Sequence, residues 1–525
     1  MMNLLLPDSN SCYILNPGYG LRDDELRWII FSKPGWEGVG SRNWKSFIHP
    51  VHASIFSFFT HRRTLEENLQ LIAAHCGYGR SKMFERVLPF IENDEEFFVT
   101  WGSNHIYFPE QVLIPLEKAG ADYRFREMEP AENTGFLTNV YSRRLTTGPL
   151  QVTFMLNNRC TTQCRYCYAD TQTQVRNPLS TLRILKLIDE AAALPVQQVN
   201  LMGGEVFLHP DWETILSALV ERDIAPDFVS TKIPLTAVHI EKLQRTRFRH
   251  AVQVSLDAVD ADILTETIAA DSGYAERMKQ SLLRLDESGL KYQIATVLTT
   301  ANCNVDVMER MYAFLSGLKH LHDWRITPVS NSITKPYKEL SHLKPGKQQA
   351  ISLFDYIEEH FVPQAPFPIV LNREALEQKY RCDGGGCLLF KGHRCSALTS
   401  HFFILPDGHV SICEQLYWNP RFLIGNVKHS NLKSVWNSPQ AEKLMNIPRE
   451  EIQESSPCRK CDIFDLCYKA QNRCWSDTIK AYGPDCWDYP DPRCEHAPKM
   501  KNQLGYKITS VRNRQESPPT QPSPI

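Results

Sequence analysis

The 525-residue sequence lacks the features that mark membrane, secreted and nucleic-acid-binding proteins. No stretch approaches the roughly eighteen consecutive apolar residues that a membrane-spanning helix needs. The first residues carry no basic segment ahead of their short apolar run, which is unlike a signal peptide. Lys and Arg number 58 against 60 Asp and Glu, so no basic excess indicates nucleic acid or an anionic membrane as the main partner. We therefore expect a globular cytoplasmic protein of two or three domains.

Cysteine is plentiful by contrast, and three cysteines share one short loop. Cys160, Cys164 and Cys167 have the spacing C-x3-C-x2-C and follow a strand-like run at 150–156. Structural zinc takes four ligands, usually as two close pairs, whereas three thiolates on one loop suit a 4Fe–4S cluster with one iron left open. A partial zinc site and three unrelated reduced thiols are the alternatives.

The spacing, with Tyr166 just before the last cysteine, closely resembles the signature of the radical S-adenosylmethionine (radical SAM) enzymes. The resemblance implies that the open iron binds the methionine end of the cofactor and that Tyr166 contacts its adenine through the backbone. A second motif, Gly203-Gly204-Glu205, follows a buried strand at 196–202 and resembles the family's element that binds the cofactor's amino group. Glycines let the backbone approach a ligand closely, and a carboxylate attracts an amine.

Residues 145–330 alternate short apolar runs with amphipathic helical stretches, which predicts a parallel α/β sheet with right-handed crossovers. Six such units fit a partial (β/α)6 barrel, the fold that the resemblance implies. A doubly wound sheet would give a similar pattern, but its first loop would be rich in glycine and not in cysteine. The predicted strands are 150–156, 196–202, 227–231, 250–256, 291–298 and 323–328, and the predicted helices are at roughly 180–194, 211–222, 236–245, 273–289 and 304–318.

Polar residues at the carboxyl ends of the later strands are further candidates, because barrel active sites form at that face. Ser255 and Asp257 end the fourth strand, where the family often contacts the ribose or the methionine carboxylate, so both are predicted to bind the cofactor. The pattern assigns no catalytic residue. Weaker candidates for the same pocket are Ser230, Thr231, Asn302, Asn304 and Arg325.

Residues 1–125 show a different order of predicted elements, with short strands, three helices and then a two-stranded wing at 96–108. This order resembles the small PqqD-like recognition domains of peptide-modification systems, a winged-helix-like α+β fold. A groove between strands near 28–48 and the third helix would then hold an extended peptide. A purely structural cap is the alternative. The helices are predicted at about 50–60, 64–76 and 81–92, with Met83, Phe84 and Val87 facing the groove.

Residues 382–500 hold ten of the sixteen cysteines, a clustering that indicates metal or Fe–S ligation in a cytosolic chain. The spacings C-x12-G-x4-C and C-x2-C-x5-C resemble the SPASM domain, which carries auxiliary 4Fe–4S clusters in peptide-modifying radical SAM enzymes. Between Cys395 and Cys413, the run from Phe402 is predicted to form a hairpin with a Pro-Asp-Gly turn. By resemblance, one auxiliary cluster would bind Cys387, Cys395, Cys413 and Cys474, and the other Cys458, Cys461, Cys467 and Cys494.

The array departs from the family at one position. The family's next cysteine would fall at Gln471, and Cys474 is the nearest substitute. Cys494 is preferred to Cys486 because the residues before Cys494 resemble the family's closing motif. One or two structural zinc sites built from the same thiolates are the alternative. The remaining segments are a bridging stretch at 331–381, with a helix at 346–360, and a proline-rich tail at 501–525 that we expect to be disordered.

The resemblance implies reductive cleavage of S-adenosylmethionine and hydrogen abstraction from a substrate. With the N-terminal domain, the best interpretation is a maturase that installs a crosslink or thioether in a ribosomally made precursor peptide. An electron donor such as flavodoxin or ferredoxin is expected as a partner. Neither nucleic acid nor a membrane is expected as a partner. The alternatives are a sulfatase-maturase-like oxidase of protein side chains, and a non-catalytic metal-binding regulator whose winged domain binds nucleic acid.

Overall fold

The computed structural model describes residues 7–25, 27–33, 38–42, 44–101, 104–120, 144–194, 196–334, 340–377, 395–470 and 473–505. The chain divides into two compact units, one ending at Thr147 and the other beginning at Gly148. Among the described residues, no helix is both long enough and apolar enough to cross a membrane. Cys387, Cys382, Gln471 and most of the proline-rich tail lie outside the described residues.

The first unit is an α+β fold, as predicted. An antiparallel sheet of order β2-β3-β4 and a β5–β6 hairpin accompany three helices, and β1 pairs with β7. Helix α2 begins with the capping box between Thr64 and Glu67 that its sequence indicates. Strands β2 and β7 were not predicted. The elements are β1 Tyr13–Leu15, β2 Tyr19–Asp23, β3 Trp28–Ser32, β4 Lys45–Ile48, α1 Pro50–Ser57, α2 Leu65–Cys76, α3 Arg80–Val87, β5 Phe97–Trp101, β6 Asn104–Phe108 and β7 Leu113–Pro115.

The predicted groove on the third helix is wrong in detail. Met83 and Val87 are 1% and 0% exposed and belong to the apolar core of the unit, so neither can line an open groove. Phe84 is only half-buried and stacks against the guanidinium of Arg80. Strand β3 lies between β2 and β4, which leaves β2 and β4 as the outer strands of this sheet.

The second unit contains the six predicted βα units. Strands β10 to β14 form an all-parallel sheet, and β8 pairs in parallel with β9, which lies next to β10. Each predicted strand and helix is present within a few residues. The elements are β8 Gln151–Met155, α4 Thr181–Ala193, β9 Gln198–Met202, α5 Trp212–Glu221, β10 Phe228–Thr231, α6 Ala237–Arg245, β11 Ala251–Ser255, α7 Ala261–Ile268, α8 Tyr274–Ser288, β12 Tyr292–Leu298, α9 Val305–Leu315, β13 Leu321–Pro328, α10 Lys347–His360 and β14 Ile369–Leu371.

The cysteine-rich region continues the barrel sheet, which the sequence did not indicate. The predicted hairpin is present as β15 (His401–Ile404) and β16 (His409–Ser411), and β15 pairs in parallel with β8. Gly408 in the turn has φ +86°, and a Cβ there would stand 2.7 Å from the side chain of Asn426. The remaining elements are α11 Glu374–Glu377, β17 Leu423–Asn426, α12 Leu432–Trp436, α13 Pro439–Met445, α14 Phe464–Ala470 and α15 Trp475–Tyr482.

Candidate functional site

The three-cysteine loop leaves the carboxyl end of β8 and is held by α7, a helix that was not predicted. The backbone N–H groups of Gln163 and Arg165 donate to the carbonyls of Ile268 and Thr267, each at 3.0 Å. These are carbonyls of the last turn of α7, which lack partners within a helix. The loop is therefore fixed by main-chain bonds that do not use the thiols.

The thiols of this loop remain available for a metal cluster. The Thr162 hydroxyl lies 3.4 Å from the Sγ atoms of both Cys160 and Cys164. Burial raises the pKa of the Cys164 thiol, and the nearby Lys232 ammonium opposes that shift. Cys160 and Cys167 are half-buried. Three thiols on one anchored loop fit a 4Fe–4S cluster that has three protein ligands.

The glycines of the Gly-Gly-Glu motif are required by the neighbouring chain. A Cβ on Gly203 would stand 2.7 Å from the carbonyl oxygen of Asn157, and one on Gly204 would stand 2.5 Å from the carbonyl carbon of Arg159. The Gly204 N–H donates to the Asn157 carbonyl at 2.9 Å. Gly203 and Gly204 thus pack closely against the segment that leads into the cysteine loop. This packing brings Glu205 beside the loop.

Glu205 is a buried carboxylate, 2% exposed, with donors on both oxygens. Oε1 accepts from the Phe207 N–H and the Thr231 hydroxyl at 3.1 Å each, and Oε2 accepts from the Lys232 N–H at 2.9 Å. Burial raises the pKa of Glu205, while these donors favour its charged form. A carboxylate held in this way is able to bind a cationic amine, and the role of Glu205 at the cofactor's amino group stays a prediction.

Asp257 lies at the centre of a polar cluster that joins three strand ends to the cysteine loop. Its Oδ2 accepts from the Lys232 ammonium at 2.9 Å and from the Tyr166 hydroxyl, and the same ammonium lies 2.8 Å from that hydroxyl. Its Oδ1 accepts from the Val297 N–H at 2.9 Å. Burial lowers the pKa of Lys232, but the charges of Asp257, Cys164 and Cys160 and the hydrogen bond to Asp257 together outweigh this, so the pKa is raised. Asp257 therefore meets the cysteine loop through Tyr166.

Sequence reasoning missed Lys232. It follows β10 directly, at the strand face where barrels place their sites, so its position was a usable signal. Ser255, the last residue of β11, is half-buried. Asn302 instead fixes a turn, because its amide bonds the carbonyls of Asp257 and Val297. Among the other candidates, Asn304 caps α9, Thr231 binds Glu205, and Arg325 pairs with Asp323.

Four predicted ligands of the second auxiliary cluster surround one recess. The lining of the recess includes the buried side chain of Arg473. Cys486 is not part of this lining and packs beside Ala481 and Tyr482 instead. The four cysteines that line the recess are Cys458, Cys461, Cys467 and Cys494.

The described ligands predicted for the first auxiliary cluster are also close together. Burial raises the pKa of the Cys413 thiol, and the nearby charges of Cys474 and Cys395 raise it further. Cys474 is the N-cap residue of α15, and its N–H donates to the Asp491 carboxylate at 2.8 Å. Their predicted fourth partner, Cys387, lies outside the described residues.

Single-ion sites are not evident among these thiols. In the part of the chain that the structure describes, no three His, Cys, Asp or Glu side chains are close enough to hold one metal ion. A four-iron cluster sets its cysteines farther apart than one ion does, because each thiolate binds a different iron.

The two motif regions match known families. Residues 155–309 match the radical SAM superfamily, and residues 395–462 match the iron–sulfur cluster-binding SPASM domain. The chain is a radical SAM enzyme with a SPASM domain. Its cofactors are S-adenosylmethionine and 4Fe–4S clusters, as predicted.

Relatives with known names are distant in sequence. The antilisterial bacteriocin subtilosin biosynthesis protein AlbA of Bacillus subtilis is 21% identical over 61% of this chain and 66% of its own, so this chain spans just under two thirds of AlbA. The PqqA peptide cyclase of Granulibacter bethesdensis is 21% identical over 67% of this chain and 88% of its own. Streptococcus suis SuiB, in its crystal structure with precursor peptide SuiA, matches with a TM-score of 0.57 at 15% identity over 91% of this chain and 98% of SuiB. This last likeness confirms the predicted partial barrel.

Tyr168 connects the radical SAM loop with the SPASM domain. Cys167 packs beside Leu405 and Tyr417 of the SPASM region. The charges of Glu414, Cys167 and Cys413 raise the pKa of Tyr168, yet its side chain is 39% exposed. Tyr168 therefore lies near both the radical SAM loop and the first auxiliary set, with part of its surface exposed.

The Lys232 cluster gives a testable expectation for stability. We expect Lys232→Met to lower the free energy of unfolding by about 3–5 kcal/mol, because it leaves the buried Asp257 carboxylate without its cation. Urea unfolding of the metal-free protein, followed by circular dichroism, measures this loss. The matched control is Lys242→Met, whose pair with Glu213 is screened by solvent, so its loss should be much smaller. Equal losses in the two variants would contradict a structural role for the buried pair.

Proposed function

We propose that this radical SAM enzyme modifies a ribosomally made precursor peptide, installing a crosslink or a thioether. The observation that carries the proposal is that the cysteine loop, Glu205 and Asp257 meet at the carboxyl ends of the barrel strands, beside a SPASM domain. The PqqA peptide cyclase is named for action on a peptide and AlbA for bacteriocin biosynthesis, which supports a peptide as the substrate class. When bound, the cluster and S-adenosylmethionine supply a 5′-deoxyadenosyl radical that abstracts hydrogen.

The residues of the barrel would bind and orient the cofactor. Cys160, Cys164 and Cys167 would hold the cluster on a loop that α7 and Asp257 keep in place. Glu205, buried and already supplied with donors, would face the cofactor's amino group at the edge of the loop. Burial around these groups limits the access of water, which protects a reactive radical.

The residues of the SPASM domain would hold the auxiliary clusters. The proposed sets are those predicted from the sequence, with Cys387 as the proposed fourth ligand of the first cluster. Tyr168 is partly exposed and lies near both the radical SAM loop and the first set, so we propose that the peptide segment to be modified binds beside it.

The experiment that tests the proposed function is anaerobic incubation of the reduced enzyme with S-adenosylmethionine and a candidate peptide. Short open reading frames beside the gene supply the candidates. Mass spectrometry should show a loss of two hydrogens from the peptide and equimolar 5′-deoxyadenosine. Cofactor cleavage that leaves every neighbouring peptide unchanged, while a protein side chain is oxidised, would favour the sulfatase-maturase-like alternative.

Metal analysis tests the ligand sets. We expect about twelve irons per chain in the reconstituted enzyme and about eight in the variant that lacks the three radical SAM cysteines. Cys474→Ala should remove about four of those eight, whereas Cys486→Ala should remove none because Cys486 lies outside the recess. Stoichiometric zinc with little iron would favour the structural-zinc alternative, and a full iron count in Cys474→Ala would refute the first ligand set.

The remaining partners follow from the chemistry. We propose a low-potential electron donor such as flavodoxin or ferredoxin, and a cytoplasmic site of action, since both the reduced clusters and the free thiols need a reducing compartment. The balanced charge of the chain supports neither nucleic acid nor a membrane as a partner.

A further inference from the structure

Arg473 is a buried arginine of the SPASM domain that the proposed function does not use. It is 6% exposed, and its guanidinium donates to the Sγ of Cys458 at 3.3 Å. It also donates to the carbonyls of Asp488 and Tyr489 at 3.3 and 3.4 Å. The Tyr468 ring lies 4.2 Å from its central carbon, and Trp475 also packs beside it. The guanidinium is therefore held in one place with one nitrogen directed at a cysteine sulfur.

The charge of Arg473 has no carboxylate partner within the described residues: its polar contacts there are two carbonyls and a sulfur. Arg493, on the same domain, differs in this respect. It is 8% exposed and makes two hydrogen bonds of 2.7 Å to the Asp491 carboxylate. A buried charge is costly unless an opposite charge lies close to it. The anion that would balance Arg473 must therefore lie on the side of Cys458.

Arg473 also lies between the two cysteine sets. It lines the recess of the four cysteines of the second set, and it lines a second recess together with Cys395 of the first set and Cys467. Its neighbour in sequence, Cys474, belongs to the first set. One guanidinium thus borders both proposed auxiliary sites, with its direct contact to the second.

We propose that Arg473 is a positioning residue that balances the charge of the second auxiliary cluster and raises its reduction potential. Reduction adds one electron to the cluster from an external donor, and no bond is made or broken. The added negative charge is stabilised by a fixed cation in a low-dielectric site. The inference rests on the proposed ligand set of Cys458, Cys461, Cys467 and Cys494.

The test is a redox titration of full-length protein followed by electron paramagnetic resonance. The background carries Cys160→Ala, Cys164→Ala and Cys167→Ala, so only auxiliary clusters contribute. Dithionite is the reductant, and iron is counted in every sample. We expect Arg473→Gln to keep about eight irons and to move one auxiliary midpoint to a lower potential, with Arg473→Lys shifting it less because the charge remains.

Arg449→Gln is the matched control. Arg449 bonds the carbonyl of Cys461 at 2.8 Å, but its side chain is 32% exposed, so solvent screens its charge and the shift should be much smaller. The proposal is overturned by unmoved midpoints in Arg473→Gln at full iron. It is also overturned if both Arg473 variants lose iron equally, since the arginine would then only support the fold. A background protein without a second auxiliary cluster would instead refute the ligand set.

Discussion

No 5′-deoxyadenosine should form from S-adenosylmethionine when Cys160, Cys164 or Cys167 is replaced by alanine. Each of these cysteines is expected to hold one iron of the cluster that reduces the cofactor, whereas the other cysteine sets belong to the SPASM domain. The loop is anchored to α7 by its backbone, so loss of a thiol should leave the protein folded. Chromatography of the dithionite-reduced reaction measures 5′-deoxyadenosine, and circular dichroism of each variant shows whether the protein is folded.

The control for this result is Cys303→Ala. Cys303 is a buried thiol of the same unit, 3% exposed, and it belongs to no predicted ligand set. This variant should keep the cleavage activity of the parent enzyme. Substantial 5′-deoxyadenosine from the variant lacking all three loop cysteines would show that the cofactor is cleaved elsewhere.

Deletion of residues 1–125 should slow peptide modification by about a hundredfold at low peptide concentration, while slow cleavage of S-adenosylmethionine continues. A recognition domain that holds the peptide raises its effective concentration at the barrel, and gains of this size are typical of tethering. The outer strands β2 and β4 are the edges on which an extended peptide could add. Modification rate against peptide concentration, for the full and the shortened enzyme, measures the effect.

The matched control is the full enzyme with a peptide that lacks its leader, which is the segment that the recognition domain would bind. This pair should behave like the shortened enzyme with the whole peptide, because each removes one partner of the same contact. Unchanged rates at low peptide concentration would contradict peptide recognition by residues 1–125 and favour the sulfatase-maturase-like alternative.

The barrel was predictable because each unit is marked locally. Buried apolar runs mark the strands, and helix α4 follows its N-cap Ser180 within a residue of the predicted start, with its apolar stripe buried. Helix α7 was not predicted, because its eight residues bury only Leu264, Thr267 and Ile268, which are too few to establish a helical period. It nevertheless anchors the cysteine loop, so a short element with a weak pattern proved important for the site.

The site was predictable only where spacing along the chain carries the chemistry. The cysteine sets and Glu205 could be found because their neighbours in sequence form the motif. Lys232 offered only its position after β10 as a signal, and Arg473 belongs to no motif, because the roles of these two residues depend on Asp257 and Cys458, which the fold brings to them. The groove prediction failed for a related reason, since the helical period that marked Met83 and Val87 equally fits a core face.

The pairing of β15 with β8 has a consequence for biosynthesis. Strand β8 is made early, yet one of its edges acquires its partner only when β15 emerges roughly 250 residues later, after about ten to fifty seconds of translation at usual rates. An unpaired strand edge is a template for aggregation during that interval. The nascent barrel is therefore incomplete until the cysteine-rich hairpin has been translated, and the yield of intact enzyme should depend on rapid synthesis or on chaperones that cover this edge.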